Sequence, residues 1–237
     1  MKEQLLRTEM LLGQEAISKL QQSHVAIVGL GGVGGYAVEA LARSGIGQLT
    51  LIDHDTISIS NINRQIGALH STVGMPKAEA LALRVRDIDP DITVTPLTLQ
   101  YCAETREEVF SLNPDYIVDA IDLVTHKLDL ITTAVSRSIP IISALGTGNK
   151  IDATQLTVTD ISKTYNCPLA KVIRKELRNR GIYHLPVLFS PEEKMKATQS
   201  ELPPDGRRSI PGSVAWVPGC AGLILAGEVV LRLIQEK

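Results

Sequence analysis

Three glycines near the amino terminus have a spacing that suits phosphate binding. Gly29, Gly31 and Gly34 form the pattern G-x-G-x-x-G between the apolar run HVAIVGL and a segment with helical spacing. In such a loop the first glycine permits a tight turn, the second lets the backbone approach a phosphate, and the third lets the helix pack on the sheet. The helix N-terminus adds N–H donors and partial positive charge. The pattern predicts a nucleotide site, but it does not distinguish NAD from ATP.

The residues that follow the second predicted strand favour ATP. Asp53 ends this strand, at the distance from the glycines where an acid binds ribose hydroxyls. Asn61, Arg64 and Lys77 come next in the chain. Cleavage of ATP between the α- and β-phosphates builds charge on the leaving pyrophosphate, which Arg and Lys can neutralise, while Asn can hydrogen-bond phosphate or ribose. A hydride-transfer enzyme needs no such cations beside its ribose acid, although a single Arg or Lys is often only a solvated surface charge.

Two aspartates mark the end of a later predicted strand, DYIVDAID. Asp119 lies inside the apolar run and Asp122 lies just past its end. Because the carboxyl ends of parallel strands form the ligand crevice, Asp122 is predicted to hold Mg²⁺ through one carboxylate, with waters and phosphate oxygens as the other ligands. The alternative role of Asp122 is a helix N-cap before Leu123. Asp119 is expected to order the loop backbone.

Alternating strands and helices are predicted to position these residues. The apolar runs alternate with segments of helical periodicity and are HVAIVGL, QLTLIDHD, DITVTPL, DYIVDAID and IPIISALG. This order predicts an α/β fold with a doubly wound, Rossmann-like and mostly parallel sheet, extended by additional C-terminal strands and helices. One helix is predicted from Thr8 to Gln22. Asn166 is predicted to cap a later basic helix that ends at Gly181.

The composition limits the class of protein. The chain has 237 residues, of which 44% are hydrophobic and 21% charged, so residues 1–237 are predicted to form a single domain. A net charge of −2 and an aromatic content of 3% give no global sign of nucleic-acid binding, so such a contact must be a local patch. No signal peptide or membrane span is expected, and the protein is predicted to be cytoplasmic. The proline-rich residues 190–212 are predicted to form a mobile loop.

Five ordered motifs resemble one group of enzymes. The motifs GLGGVG, LID, SNINRQ, TVGMPKAEA and DAID together resemble the adenylating enzymes of the HesA/MoeB/ThiF superfamily, relatives of the ubiquitin-activating enzymes, over nearly the whole chain. Within it, RTEMLLGQEAI, NINRQI, KVIRKELRNRGI and the ending PGSVAWVPGCAGLILAGEVV resemble the branch called tRNA threonylcarbamoyladenosine dehydratase. The resemblance implies that ATP activates the threonyl carboxylate of the modified adenosine in tRNA, and that loss of AMP then closes a ring.

The resemblance also implies a role for each candidate residue. The glycines would line ATP, Asp53 would bind the ribose, and Asp122 would bind magnesium. The phosphates would be bound by Asn61, Arg64 and Lys77. Arg7 matches an arginine that dimers of the superfamily place in the partner's site, which implies a homodimer. The basic residues of the later helix are Lys171, Arg174, Lys175 and Arg178. With a tRNA substrate, these residues would form a surface that contacts phosphates, although a solvated face is the default for such a helix.

The cysteines bear on the choice of substrate. Sulfur-carrier branches usually hold zinc with paired C-x-x-C motifs, which are absent here, so no structural zinc is expected. Relatives often use a cysteine as a thioester acceptor, but Cys167 is followed by Pro168 and has no evident basic partner, so we expect it to be inert. Adenylation of the C-terminal glycine of a ubiquitin-like or sulfur-carrier protein is the main alternative. An NAD-dependent dehydrogenase and a scaffold without catalysis are less favoured.

Overall fold

A single sheet organises the protein. The structure is a computed structural model that describes residues 2–196, 198 and 211–235. The strands are β1 (His24–Val28), β2 (Gln48–Ile52), β3 (Thr93–Leu97), β4 (Tyr116–Asp119), β5 (Ile141–Ala144), β6 (Thr157–Asp160) and β7 (Pro186–Phe189). Their spatial order is β3-β2-β1-β4-β5-β7-β6, and neighbours are parallel except for the pair β6–β7. This topology confirms the predicted doubly wound, mostly parallel sheet with a C-terminal extension.

Helices pack on both faces of the sheet. They are α1 (Leu6–Leu12), α2 (Gln14–Gln22), α3 (Gly34–Arg43), α4 (Lys77–Ile88), α5 (Arg106–Phe110), α6 (Val124–Ser136), α7 (Pro168–Arg178) and α8 (Trp216–Gln235). In β1, Val25 and Ile27 join the hydrophobic cluster on one face, whereas Ala26 and Val28 join the cluster on the other. The continuous apolar run of β1 follows from this arrangement, because a strand covered on both faces has no solvent side.

Two helix boundaries differ from the sequence prediction. The helix predicted from Thr8 to Gln22 is divided into α1 and α2 because Gly13 has a φ of 86°, which lies outside the helical region. Helix α7 begins at Pro168 with Cys167 as its N-cap residue, whereas Asn166, the predicted cap, has a φ of 50° and precedes the N-cap.

Helix α8 is the apolar tract near the carboxyl end. Of the described helices, α8 is long and apolar enough to cross a membrane by length and composition, but 56% of its apolar stretch is buried inside the fold. It packs closely on α3, since a Cβ atom added at Gly222 would lie 2.2 Å from the carbonyl oxygen of Val33. These contacts support the prediction that the tract is a core helix.

The segment predicted to be a mobile loop, residues 190–212, lies largely outside the described residues, so its mobility stays a prediction. Its described ends meet at Asn149. The backbone N–H of Met195 donates to the Asn149 carbonyl oxygen at 2.9 Å, and the N–H of Gly212 donates to Asn149 Oδ1 at 2.6 Å. Asn149, which follows β5 in the chain, therefore forms hydrogen bonds with both described ends of this segment.

Candidate active site

The glycine loop lies where the strand order reverses, between β1 and β4, which is the usual position of a ligand crevice in a doubly wound sheet. Gly29 has a φ of 92°, and a Cβ atom there would lie 2.6 Å from the carbonyl oxygen of Ala120, just after β4. A Cβ atom at Gly34 would lie 1.8 Å from the carbonyl oxygen of Gly29. At Gly31 the nearest atom would be 3.9 Å away, so the backbone at Gly31 is open to a ligand.

The carboxylate of Asp53 connects the glycine loop to the segment after β2. Its Oδ2 accepts the backbone N–H of Leu30 at 2.7 Å, and its Oδ1 accepts the N–H of Asp55 at 2.9 Å. Asp53 is only 9% exposed. Each carboxylate oxygen can accept a second hydrogen bond, so Asp53 retains acceptor capacity for ribose hydroxyls.

Lys77 is the first residue of α4 and is only 7% exposed. Its Nζ donates to Asp55 Oδ2 at 2.6 Å and lies 3.9 Å from Asp53 Oδ1. The alternative of a solvated surface charge is therefore wrong for Lys77. Two carboxylates hold its ammonium group beside the residue predicted to bind ribose.

The segment that carries Asn61 and Arg64 runs beside the glycine loop. A Cβ atom at Gly32 would lie 3.4 Å from the backbone oxygen of Arg64. The guanidinium of Arg64 donates to the carbonyl oxygen of Ser60 at 2.9 Å and to Asn63 Oδ1 at 2.8 Å. Asn61 Oδ1 accepts the backbone N–H of Ser58 at 3.1 Å. The backbone of this segment thus meets the glycine loop, and the phosphate contacts of the two side chains stay predictions.

A buried ion pair lies beneath the corner that follows β4. Asp119, Lys127 and Ser143 are all 0% exposed. Lys127 Nζ donates to Asp119 Oδ2 at 2.7 Å, to Ser143 Oγ at 3.1 Å and to the carbonyl oxygen of Ala144 at 2.9 Å. Ser143 Oγ also donates to Asp119 Oδ2 at 2.5 Å. Sequence reasoning missed Lys127 and Ser143, and the available signal was a lysine on the apolar face of α6.

The same network orders the backbone that leads to Asp122. Asp119 Oδ1 accepts the N–H of Ile121 at 3.0 Å, as expected for a residue that orders this loop. Helix α6 begins at Val124, and its N-cap residue Leu123 has no side-chain capping bond. The alternative that Asp122 caps this helix is therefore wrong. Asp122 is exposed, and no described residue forms a hydrogen bond or ion pair with its carboxylate.

The exposed carboxylate of Asp122, three residues after the end of β4, fits a hard divalent cation, because carboxylate oxygens are ligands that Mg²⁺ prefers. A second group within the described residues, Asp53, His54 and Asp55, brings its ligand atoms within 4.8 Å of one another. In that group, however, Asp55 is already paired with Lys77. Asp122 therefore remains the better candidate.

Arg7 is not brought to the site of its own chain. It is exposed on α1, at the amino-terminal edge of the strands. Leu5 packs there, since a Cβ atom at Gly45 would lie 2.8 Å from its Cδ1, and Lys2 pairs with Asp89 at 2.6 Å just before β3. The ten residues of α3 separate Gly45 from the glycine loop, a length of about 15 Å.

The basic residues of α7 have different environments. Lys171, Lys175 and Arg178 are exposed. Arg174 is half-buried and donates to the carbonyl oxygen of Thr164 at 2.8 Å. Contact of Arg174 with tRNA stays a prediction, but its side chain already joins α7 to the preceding turn.

The surroundings of Cys167 bear on the prediction that it is inert. Cys167 is buried, and the basic side chain in its surroundings is that of Lys150, which affects it only through its charge. Burial lowers the pKa of Lys150. Its ammonium group donates to the carbonyl oxygens of Ser190 at 2.6 Å and Glu192 at 2.9 Å. Because the thiol is 6% exposed and the cation is engaged elsewhere, the prediction that Cys167 is inert is retained.

The chain is similar to known proteins along its whole length. A profile of the ThiF family matches residues 3–237. The chain is 41% identical to tRNA threonylcarbamoyladenosine dehydratase of Bacillus subtilis, with 98% of this chain and 95% of that protein aligned. It is 42% identical to the Escherichia coli protein of the same name, with 73% of this chain but only 64% of that protein aligned.

The same similarity holds in three dimensions. The crystal structure of E. coli tRNA N6-threonylcarbamoyladenosine dehydratase in complex with ATP matches with a TM-score of 0.88 and 33% identity. The alignment covers 98% of this chain and 94% of that one. The family profile and these similarities together show that this chain belongs to the ThiF family.

Proposed function

We propose that this protein is an ATP-dependent tRNA threonylcarbamoyladenosine dehydratase of the cytoplasm, with residues 1–237 as one adenylating domain. The threonyl carboxylate of the modified nucleoside attacks the α-phosphorus of ATP and displaces pyrophosphate, which gives an acyl adenylate. A group of the same nucleoside then attacks the acyl carbon and displaces AMP. The nucleoside loses one water in total, and ATP becomes AMP and pyrophosphate.

The observation that carries the ATP chemistry is the position of Lys77. Its ammonium group is buried 3.9 Å from Asp53, whose carboxylate also holds the N–H of Leu30 in the glycine loop. A cation fixed beside the ribose acid can neutralise a leaving pyrophosphate, and hydride transfer to or from NAD has no use for it. The ATP complex of the similar E. coli protein supports the same choice.

The substrate is inferred from the relatives, because an acyl adenylate is common to both candidate reactions. Full-length similarity to a protein named for threonylcarbamoyladenosine in tRNA favours tRNA over a small protein substrate. The exposed residues Lys171, Lys175 and Arg178 supply a local positive surface on a chain with a net charge of −2. Such cations contact phosphates without reading sequence.

ATP–pyrophosphate exchange with one added substrate at a time tests the proposal. We expect exchange with tRNA that carries threonylcarbamoyladenosine and none with the same tRNA lacking the modification. Mass spectrometry of the nucleoside should then show the loss of one water. Exchange that requires a ubiquitin-like protein instead of tRNA, or tight NAD binding without ATP binding, would overturn the proposal.

Lys77 and Arg64 are proposed to act on charge that develops in the transition state. Lys77→Ala and Arg64→Ala should therefore lower turnover at saturating ATP more than they weaken ATP binding. The matched control is Arg86→Ala, because Arg86 is exposed at the far end of α4. Normal turnover by both variants would return the two residues to a structural role.

Asp122 is proposed to hold Mg²⁺, which neutralises phosphate charge when bound. Asp122 is exposed and retains acceptor capacity, and Asn61 is proposed to bind phosphate or ribose. Asp122→Asn should weaken Mn²⁺ binding to the ATP-analogue complex, measured by electron paramagnetic resonance. Binding equal to that of the unaltered protein would contradict this role.

A homodimer is proposed because Arg7 is not brought to the site of its own chain and because two groups of exposed apolar residues are available for association. On α1, Met10 and Leu11 are 82% and 87% exposed. Beside the candidate phosphate site, Ile59 and Leu69 are also exposed. We propose these two groups as the contacts of the dimer, because neighbouring exposed apolar residues can form an association site. A two-fold axis that joins one surface to the other would bring Arg7 of each subunit to the partner's site.

A mixing experiment tests whether Arg7 acts across the dimer. Arg7→Ala and Lys77→Ala should each be nearly inactive alone. In a mixed dimer, the Arg7→Ala subunit keeps Lys77 and receives Arg7 from its partner, so one of two sites is complete. Random exchange makes about half of the dimers mixed, so about a quarter of the full activity should return. Exchange of subunits is verified by tagged pull-down. If no activity returns after verified exchange, Arg7 does not act in trans.

The cysteines distinguish the two substrate classes. Ring closure within one nucleoside needs no enzyme thioester, so Cys167→Ser should still convert the tRNA nucleoside. The same holds for the triple variant that also replaces Cys102 and Cys220. Complete loss of turnover in a folded Cys167→Ser protein would favour the protein-activating alternative.

A further inference from the structure

Two exposed tyrosines lie near opposite ends of helix α7. Tyr165 precedes the helix and is 60% exposed, while Tyr183 follows it and is 59% exposed. The other tyrosines are less exposed. Tyr165 packs edge-on against the buried Phe189, with ring centroids 5.8 Å apart and an angle of 74° between the rings. The edge contact restrains the ring, and the exposure of Tyr165 leaves it accessible to a flat ligand.

The two tyrosines lie at different edges of the sheet. Phe189 is the last residue of β7, so Tyr165 lies at the carboxyl edge of the parallel strands. The first turn of α7 lies at this edge too, because a Cβ atom at Gly146, after β5, would be 4.0 Å from Leu169. Tyr183 comes three residues before β7 begins, which places it at the amino-terminal edge. The carboxyl edge is the one that holds the candidate ATP crevice.

The positive face of α7 begins at Lys171, six residues after Tyr165. Lys171, Lys175 and Arg178 are spaced by four and three residues, so they lie on one face of the helix. This face extends for about 10 Å from the crevice edge toward Tyr183. An aromatic ring followed by a row of cations is the combination that binds single-stranded nucleic acid, since bases stack on the ring and phosphates pair with the cations.

We propose that Tyr165 stacks on an unpaired base of the tRNA substrate and orients the RNA strand along the cationic face of α7. This inference rests on the proposed function, because it requires tRNA as the substrate. Specific RNA recognition commonly uses unpaired loop bases that stack on aromatic side chains. An exposed tyrosine at the carboxyl edge of the sheet lies on the same edge as the candidate ATP crevice, so it can hold a base of the RNA whose nucleoside is adenylated.

Equilibrium binding of tRNA that carries threonylcarbamoyladenosine, measured without ATP, tests the stacking. Tyr165→Ala should raise the Kd for this tRNA at least about fivefold, because the variant has no ring on which a base can stack. Tyr165→Phe keeps the ring and should bind within about twofold of the unaltered protein. Tyr183→Ala is the matched control, with the same residue type and exposure, and should leave the Kd unchanged. ATP binding should be the same in all three variants.

Salt dependence separates stacking from charge. Tyr165→Ala should leave the slope of log Kd against log salt unchanged, whereas Lys171→Ala and Lys175→Ala should each reduce the slope by about one, since one phosphate fewer is neutralised. The proposal is overturned if Tyr165→Ala binds normally, if Tyr165→Phe is as weak as Tyr165→Ala, or if Tyr183→Ala is equally weak. Failure of the unaltered protein to bind this tRNA would overturn the proposed function as well, so the two failures are distinguishable.

Discussion

Replacement of Lys127 by methionine tests how far the buried ion pair stabilises the fold around the site. In the protein, Lys127 Nζ makes three hydrogen bonds, and both it and Asp119 are 0% exposed. Lys127→Met keeps an unbranched apolar side chain but removes the ammonium group. Asp119 then keeps its bonds from Ile121 and Ser143 without a compensating cation.

The expected loss of stability is large. Removal of one partner from a buried ion pair costs about 3–5 kcal/mol, because it leaves an uncompensated charge in the interior. In a domain of this size, about 1 kcal/mol shifts Tm by about 2–4 °C, so Tm should fall by about 6–20 °C. Lys163→Met is the control, because Lys163 is exposed, and it should change the free energy of unfolding by about 0.5 kcal/mol or less.

Urea unfolding followed by circular dichroism measures the effect. The double variant Asp119→Asn, Lys127→Met contains neither charge and should recover at least half of the stability lost by Lys127→Met. A loss below about 1 kcal/mol in Lys127→Met would refute the reasoning, since an isolated buried carboxylate should be far more destabilising. A double variant as unstable as the single one would assign the loss to packing instead of charge.

Two further predictions concern the glycine loop and the pH dependence of stability. Gly29→Ala should destabilise the fold by more than about 2 kcal/mol in urea unfolding, because φ is 92° and the added Cβ would lie 2.6 Å from the carbonyl oxygen of Ala120. Gly31→Ala has room for its Cβ and should stay folded but bind ATP more weakly in calorimetry; equal stability of the two variants would contradict this explanation. Burial acts to raise the pKa of the Glu39 carboxyl, but hydrogen bonds from Arg84 and Arg43 outweigh this effect. The pKa of Glu39 therefore lies below its ordinary value of 4.5. The stabilisation by ionised Glu39 is therefore present above pH 4.5 and lost as the pH falls through the folded-state pKa. The difference in stability between the unaltered protein and Glu39→Gln should shrink between about pH 7 and about pH 3. A difference that stays constant with pH would exclude the Glu39 carboxylate as the source of this stabilisation.

Much of the fold could be predicted from the sequence because its signals are local. Apolar runs of strand length alternate with helical periodicity, and this order restricts the sheet to a parallel, doubly wound arrangement. The glycine loop could be located for the same reason, since a side chain at Gly29 or Gly34 would clash with the backbone of the turn in which they lie. The role of Asp119 in ordering its loop was also predictable, because the N–H that it accepts belongs to Ile121, two residues away.

The local prediction was wrong where a conformation depends on one or two dihedral angles. Glycine at position 13 divides the first predicted helix, although the apolar spacing continues through it. Asn166 has the residue type of a cap, but its positive φ places it before the N-cap position that Cys167 occupies. Composition and periodicity do not determine such dihedral angles, which depend on the packing of the elements on either side.

Only the tertiary structure decided which charges meet. Lys77 pairs with Asp55, 22 residues away, and Lys127 reaches across the ends of β4 and β5 to Ser143. Arg174 has the same type of side chain as the exposed Arg178, yet it is bound to Thr164. Such pairings depend on the distance between elements that are remote in the chain, and the free energy of a buried charge depends on the whole surrounding volume. For this reason the sequence determined which residues could take part in the chemistry, whereas the packing of the sheet and its helices determined which of them are held together and which face solvent.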